Sequence, residues 1–198
     1  LPEGAVTALA RFPDGFIWLT TPRHVVRFDG VEFVTCPQEN FPEPRPPRFK
    51  SLLRDRLGRV WVAGENSVMR FEGGSWRQVP LQGEVDTSRG SPWYSETPDG
   101  TMMMSPHLVL FWIKEHPDGT VWIASNAGMY RETGHSLALV PLAAGAVAGI
   151  FYSADMDAGG TVWLSGAEGL FMFDGEAYMR SDGPEAIRRD TWFQVFAG

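Results

Sequence analysis

A glycine turn followed by an apolar pair that usually ends in tryptophan is written into this chain repeatedly. "PDGFIW" occupies 13–18 and "PDGTVW" occupies 117–122; "LGRVW" at 57–61, "PDGTMM" at 98–103 and "GGTVW" at 159–163 follow the same grammar. The tryptophans are Trp18, Trp61, Trp122 and Trp163, with Met103 in the slot of the weaker copy. Steps from 18 to 61, 61 to 103 and 122 to 163 are 43, 42 and 41 residues. A period in the low forties belongs to stacked or radially arranged repeats, and it restricts the fold more than any single motif does.

Each copy reads as strands. In "AVTALARF", Val6, Ala8 and Ala10 alternate with other residues, the period of a strand with two unlike faces. "PDG" is turn chemistry, "FIWLTT" a β-branched and aromatic run, and "HVVRFDG" a third strand ending in a hairpin signal before "VEFVTC". Phe28-Asp29-Gly30, Phe71-Glu72-Gly73 and Phe173-Asp174-Gly175 share one slot, the turn between third and fourth strands. Four short antiparallel strands per period form a propeller blade, which buries its faces only by stacking on neighbours. The expected fold is therefore all-β: a partial β-propeller over 1–198 with about four to five blades. They fall at about 5–36, 48–79, 92–110 (incomplete), 111–140 and 147–180, with the start of another at 191–198. The tryptophans are expected between blades and Gly15, Gly58, Gly100, Gly119 and Gly160 in the turns that precede them.

Two irregularities interrupt this register. From Met103 to Trp122 is only 19 residues, so either that blade is degenerate or residues are missing, with a gap near Leu110/Phe111 the favoured reading. "TWFQVFAG" at the end matches the first strand of a further blade. A 19-residue stretch without charge, Ser136 to Ala154, has the length of a membrane span. Pro141, Gly145 and Gly149 break it into two strands and a connection instead. The chain opens at Leu1 with neither a basic start nor an apolar core of a signal peptide, so it is expected to be the interior of a longer protein.

Charge narrows the partners. The formal net charge is −7 and basic residues are sparse, which argues against a nucleic-acid footprint. The single cysteine, Cys36, closes no disulfide within the chain. His24, His107, His116 and His135 show no paired metal spacing, so neither a metal nor another cofactor is expected. No Ser, Cys or Lys stands beside an evident base, and Asp14, Asp99, Asp118 and Asp174 sit in repeated turns, so no catalytic residue is assigned.

Residues 1–36 resemble the two-component regulator propeller repeat. The matching residues are Leu1-Pro2, Val6, Leu9, Asp14-Gly15, Ile17-Trp18-Leu19, Thr20-Thr21 and Arg27-Phe28-Asp29-Gly30, and the pattern returns at 119–134 and 160–175. The resemblance implies the periplasmic, ligand-sensing part of an inner-membrane histidine kinase or diguanylate cyclase. It also implies about seven blades, more than are written here, and no chemistry of its own. A propeller enzyme of the streptogramin-lyase or lactonase type and a protein-interaction scaffold are the alternatives.

Function is expected in what differs between blades. Arg23, His24, Arg45, Arg48, Asn66, Trp93, Tyr94 and His107 fall in loops expected at one end of the channel. Arginines hold carboxylate or sulfate forkwise and aromatics stack on sugar faces, so a small anionic molecule or acidic oligosaccharide is the expected ligand. A homodimer is expected, with the membrane reached only through the parent protein.

Overall fold

In a computed structural model, the structure describes residues 5–13, 15–37, 41, 48–83, 94–96, 102–104, 108–140, 151–166, 169–175 and 178–180. For 94–96 and 102–104 the backbone alone is considered. Every element among the described residues is a strand. The first blade is β1 (Ala8–Arg11), β2 (Ile17–Thr20), β3 (Val25–Phe28) and β4 (Phe33–Thr35). The second is β5 (Phe49–Arg54), β6 (Val60–Gly64), β7 (Val68–Glu72) and β8 (Ser75–Gln78). Then come three outlying strands, β9 (Leu81–Gln82), β10 (Tyr94–Glu96) and β11 (Met102–Met104). The third blade is β12 (Leu110–Glu115), β13 (Val121–Ser125), β14 (Gly128–Glu132) and β15 (Leu137–Leu139). The fourth is β16 (Phe151–Met156), β17 (Val162–Gly166), β18 (Gly169–Phe173) and β19 (Tyr178–Arg180). Each blade is an antiparallel meander in chain order, the blades of a β-propeller.

The turn grammar has a direct physical form. In each blade the residue six before the tryptophan exchanges backbone hydrogen bonds across the first turn. Gly15, Gly58, Gly119 and Gly160 donate N–H to the carbonyls of Phe12, Asp55, His116 and Asp157. All four glycines have positive φ, from +80° to +92°, where a Cβ is disfavoured. The first strands of the second, third and fourth blades share a bulge, at Phe49/Ser51, Leu110/Trp112 and Phe151/Ser153.

Burial follows from blade stacking. Trp61, Ala63 and Val68 of the second blade meet Leu110, Val121, Ile123 and Tyr130 of the third. Trp122, Ala124 and Met129 of the third meet Phe151, Val162, Leu164 and Phe173 of the fourth. Between the first and second blades, Phe12 and Val25 meet Phe49, Val60, Val62 and Met69, with Trp18 partly buried beside them. The tryptophan of one blade thus fills the gap to the next, as the period requires.

One correction concerns the irregular copy. Leu110 and Phe111 are consecutive within β12, at the bulge shared by the other blades. Inner strand β12 packs directly on inner strand β5, leaving no place for a blade between them. The piece read as an incomplete blade over 92–110 is instead a separate two-stranded sheet, β10 with β11, inserted in the connection between the second and third blades. Nineteen residues are too few for the two strands a blade would still have needed. The same connection contributes β9, which pairs in parallel with β15 (Leu137 opposite Leu81, Ala138 opposite Gln82) and covers the outer edge of the third blade. The start of another blade at 191–198 lies outside the described residues. Within the uncharged stretch the described residues form β15 and the start of β16, and no helix among the described residues is long and apolar enough to cross a membrane.

Candidate functional site

Antiparallel order gathers the turns between second and third strands and the starts of the first strands at one end of the blades. Arg23 and His24 lie there, in a turn organised by Thr21, whose Oγ1 accepts the His24 N–H at 3.1 Å and meets His24 Nδ1 at 3.4 Å. Arg23 is exposed. Arg48, also exposed, precedes β5, and its carbonyl accepts the Glu65 N–H at 3.2 Å. Asn66 has a structural duty: with φ at +56° it donates its N–H to the Leu108 carbonyl, and its Oδ1 accepts the Leu108 N–H, both at 2.8 Å. Asn126 brackets Val109 in the same way, with Oδ1 accepting the Val109 N–H at 2.9 Å. The structure therefore brings Asn66 to the entry of β12 and leaves Arg23 and Arg48 facing solvent. Arg45, Trp93, His107 and Gly100 lie outside the described residues, and Tyr94 is described only as the first residue of β10.

At the opposite end, where first strands turn into second strands, lies a cleft of about 320 Å³ lined by Arg56, Lys114, Glu115, His116, Pro117, Met156, Asp157 and Ala158. Its charged groups hold neighbouring blades together. Arg56 donates through Nε to Glu115 at 2.6 Å and through Nη2 to the carbonyls of His116 and Pro117. Lys114 Nζ donates to Asp155 Oδ1 at 2.6 Å. His116 stacks on Trp122 with ring centroids 5.1 Å apart, and a Cβ on Gly160 of the next blade would lie 2.4 Å from its Nε2.

Asp157 closes its own turn. Its Oδ1 accepts the N–H groups of Gly159 and Thr161, and its Oδ2 accepts the Trp163 indole N–H at 3.2 Å. The Trp163 hydrogen bond, opposed by burial and helped by the Thr161, Gly159 and Gly160 amides, holds this carboxyl below the ordinary carboxylate range. Burial pushes Asp118 up, but the Thr120 hydroxyl and amide and His116 outweigh it, and the carboxyl stands well below that range. Both carboxylates are thus held by donors of their own turns.

Between the second and third blades lies a buried ionic cluster. Asp55 is fully buried; its Oδ2 accepts Arg59 Nε at 2.5 Å and the Trp61 indole N–H at 2.8 Å. Arg59 reaches on to both oxygens of Glu132, at 2.7 and 3.1 Å, and Arg70 lies 3.6 Å from the same carboxylate. Both guanidiniums lie over the Trp61 ring, at 5.0 and 5.2 Å from its centroid. Burial lowers the Arg59 pKa, but the Glu132 and Asp55 hydrogen bonds raise it by more. Asp six residues before the Trp, in two of the four blades, was the readable signal for Asp55 and Asp157. Glu132 carried none, since it lies 73 residues from Arg59. Among the described residues no group of three His, Cys, Asp or Glu is placed to hold a metal.

No protein-family model matches the sequence, and no curated protein does. Among solved structures the chain is similar to BT4673 of B. thetaiotaomicron, described as the extracellular domain of a hybrid two-component system: TM-score 0.69 and 13% identity over 99% of this chain and 25% of that one. A second structure of BT4673, described as belonging to a one-component system, gives TM-score 0.70 and 13% identity over 100% of this chain and 26% of that one. PorZ, described as a bacterial surface component of the type-IX secretion system of Porphyromonas gingivalis, gives 0.57 and 12% over 87% and 26%. The chain spans about a quarter of the length of each. These likenesses establish a shared fold: the blades correspond to part of a larger propeller chain.

Proposed function

We propose that this chain is part of the extracytoplasmic ligand-sensing region of a membrane-bound two-component-type signalling protein, catalysing nothing itself and transmitting ligand binding to an intracellular output domain. One observation carries the reading: the whole chain follows the fold of BT4673, described as the extracellular domain of a two-component system. The repeat resemblance supports it independently. The ligand is a small anionic molecule or acidic oligosaccharide, received at the end that exposes Arg23 and Arg48, because the cations of the opposite cleft are held by Glu115 and Asp155. Binding acts through different affinity for two arrangements of the region, the condition any ligand must meet to shift an equilibrium.

The test is calorimetric titration of the 198-residue chain with uronic-acid and sulfated oligosaccharides, followed by analysis of the recovered sugar. Saturable binding, weakened at least tenfold by Arg23→Ala with Arg48→Ala, and an unchanged sugar are expected. Absence of binding across the panel overturns the ligand class, and a cleaved product overturns the non-catalytic reading in favour of a propeller lyase.

A further inference from the structure

The outer edges of the four blades are not alike. β15 is covered by β9. β8 carries exposed Arg77 and β19 exposed Arg180, charges of the kind that keep an edge from pairing. Among the described residues β4 has neither device. Phe33-Val34-Thr35-Cys36 contains no charge, Phe33 and Val34 are 37% and 44% exposed, and Val31 at the hairpin tip is 92% exposed.

The hydrogen-bond register tells which backbone groups of β4 are open. Cys36 donates to the Val25 carbonyl and Asp29 to the Glu32 carbonyl, so the bonded pairs of the β3–β4 ladder alternate through Arg27 opposite Val34. Val34 therefore turns its peptide groups inward, while Phe33 and Thr35 turn their N–H and C=O groups outward. We propose that this edge pairs antiparallel with the same edge of a second copy, Val34 opposite Val34 on a two-fold axis and Phe33 opposite Thr35 on each side.

Among two-fold registers only this one uses all four outward residues. Sliding to put Phe33 opposite itself sets Thr35 against Val31, whose N–H is already donated to Asp29 Oδ1 at 2.8 Å. Sliding the other way sets Phe33 against Pro37, which has no N–H. In the favoured register Glu32 faces Cys36 of the second copy, and no like charges stand opposite one another. The contact is isologous, as a closed dimer requires, and it joins two four-stranded blades into one continuous sheet. It stands apart from the ligand-sensing reading and survives if that reading fails.

Sedimentation of the full chain over a rising concentration series tests the dimer, and Val34→Lys tests the surface. A concentration-dependent dimer whose association weakens at least tenfold in Val34→Lys is expected. Register is tested by oxidation of Val34→Cys and Phe33→Cys, each in a Cys36→Ser background. Residues 34 would face each other at about 4.5 Å between Cα atoms, within disulfide reach, whereas residues 33 would lie diagonally about 7–8 Å apart. Cross-linking of the Val34→Cys protein alone is expected, and this readout stands even where the lysine variant folds poorly. A chain that stays monomeric throughout, as it would if the edge instead receives an extended peptide of another protein, overturns the proposal. So does a dimer indifferent to Val34→Lys, or equal cross-linking at both positions.

Discussion

A buried indole N–H needs an acceptor, and the four blades meet that need differently. Trp61 and Trp163 donate to Asp55 and Asp157, six residues earlier, and Trp122 donates to Thr120 Oγ1 at 2.8 Å. In the first blade the residue six earlier is Phe12, whose ring stacks on Trp18 at 5.7 Å, and the buried Trp18 Nε1 has no hydrogen-bond partner among the described residues. An indole bonded to a buried carboxylate loses more when truncated than one bonded to nothing. Trp61→Phe should therefore cost about 2 kcal/mol more stability than Trp18→Phe. Urea unfolding of the two variants checks this, and equal midpoints would contradict it. The four tryptophans were legible because each follows its own glycine turn. The Asp partners were half legible, since Phe12 and His116 break the pattern in the other two blades. The Glu132 contacts were not legible at all, because stacking rather than local sequence sets them.

Strand boundaries followed the sequence wherever a turn residue and an apolar run agreed, as at Asp55 to Gly64. They misled where one signal stood alone. Met103 sat at the right distance from Trp61, yet distance without neighbouring strand patterns produced only the β10–β11 sheet. Gly64 shows the opposite failure, a residue whose importance no motif revealed. A Cβ there would meet the Arg48 carbonyl oxygen at 2.1 Å and its carbon at 2.7 Å, main-chain atoms that cannot swing aside. Gly166 holds the equivalent place in the fourth blade and Ser125 in the third, so the repeat admits a side chain here, whereas the approach of the chain to β5 does not. Gly64→Ala should cost about 3 kcal/mol or more, at the upper end of overpacking. Gly73→Ala, in open space at φ +60°, should cost about 1 kcal/mol from the left-handed backbone alone. Thermal unfolding of the pair checks the ranking, which reversal would refute.

Across the whole molecule, blades are joined by apolar seams of similar kind but by ionic contacts of unlike weight. The Lys114–Asp155 pair is more open to water, with side chains 43% and 16% exposed, whereas those of Arg59 and Glu132 are 11% and 8% exposed. Glu132→Gln leaves two guanidiniums short of charge between the second and third blades and should cost about 3–5 kcal/mol, while Asp155→Asn should cost under about 1 kcal/mol. Denaturant midpoints of the two variants measure the contrast, and comparable losses would show that the buried cluster contributes no more than a surface pair. The all-β blade architecture was written in the repeat, but the candidate ligand end was legible only as a set of loops. What those loops do depends on neighbours far along the chain, as the bracket of Asn66 on Leu108 shows. The parallel pairing of β9 with β15 has a consequence for how such a chain can change over generations. Repeats that meet only at their faces can be duplicated or exchanged one at a time. Here the thread leaving the second blade is woven into the margin of the third, so recombination that moved the third blade alone would strip β15 of the strand along its edge.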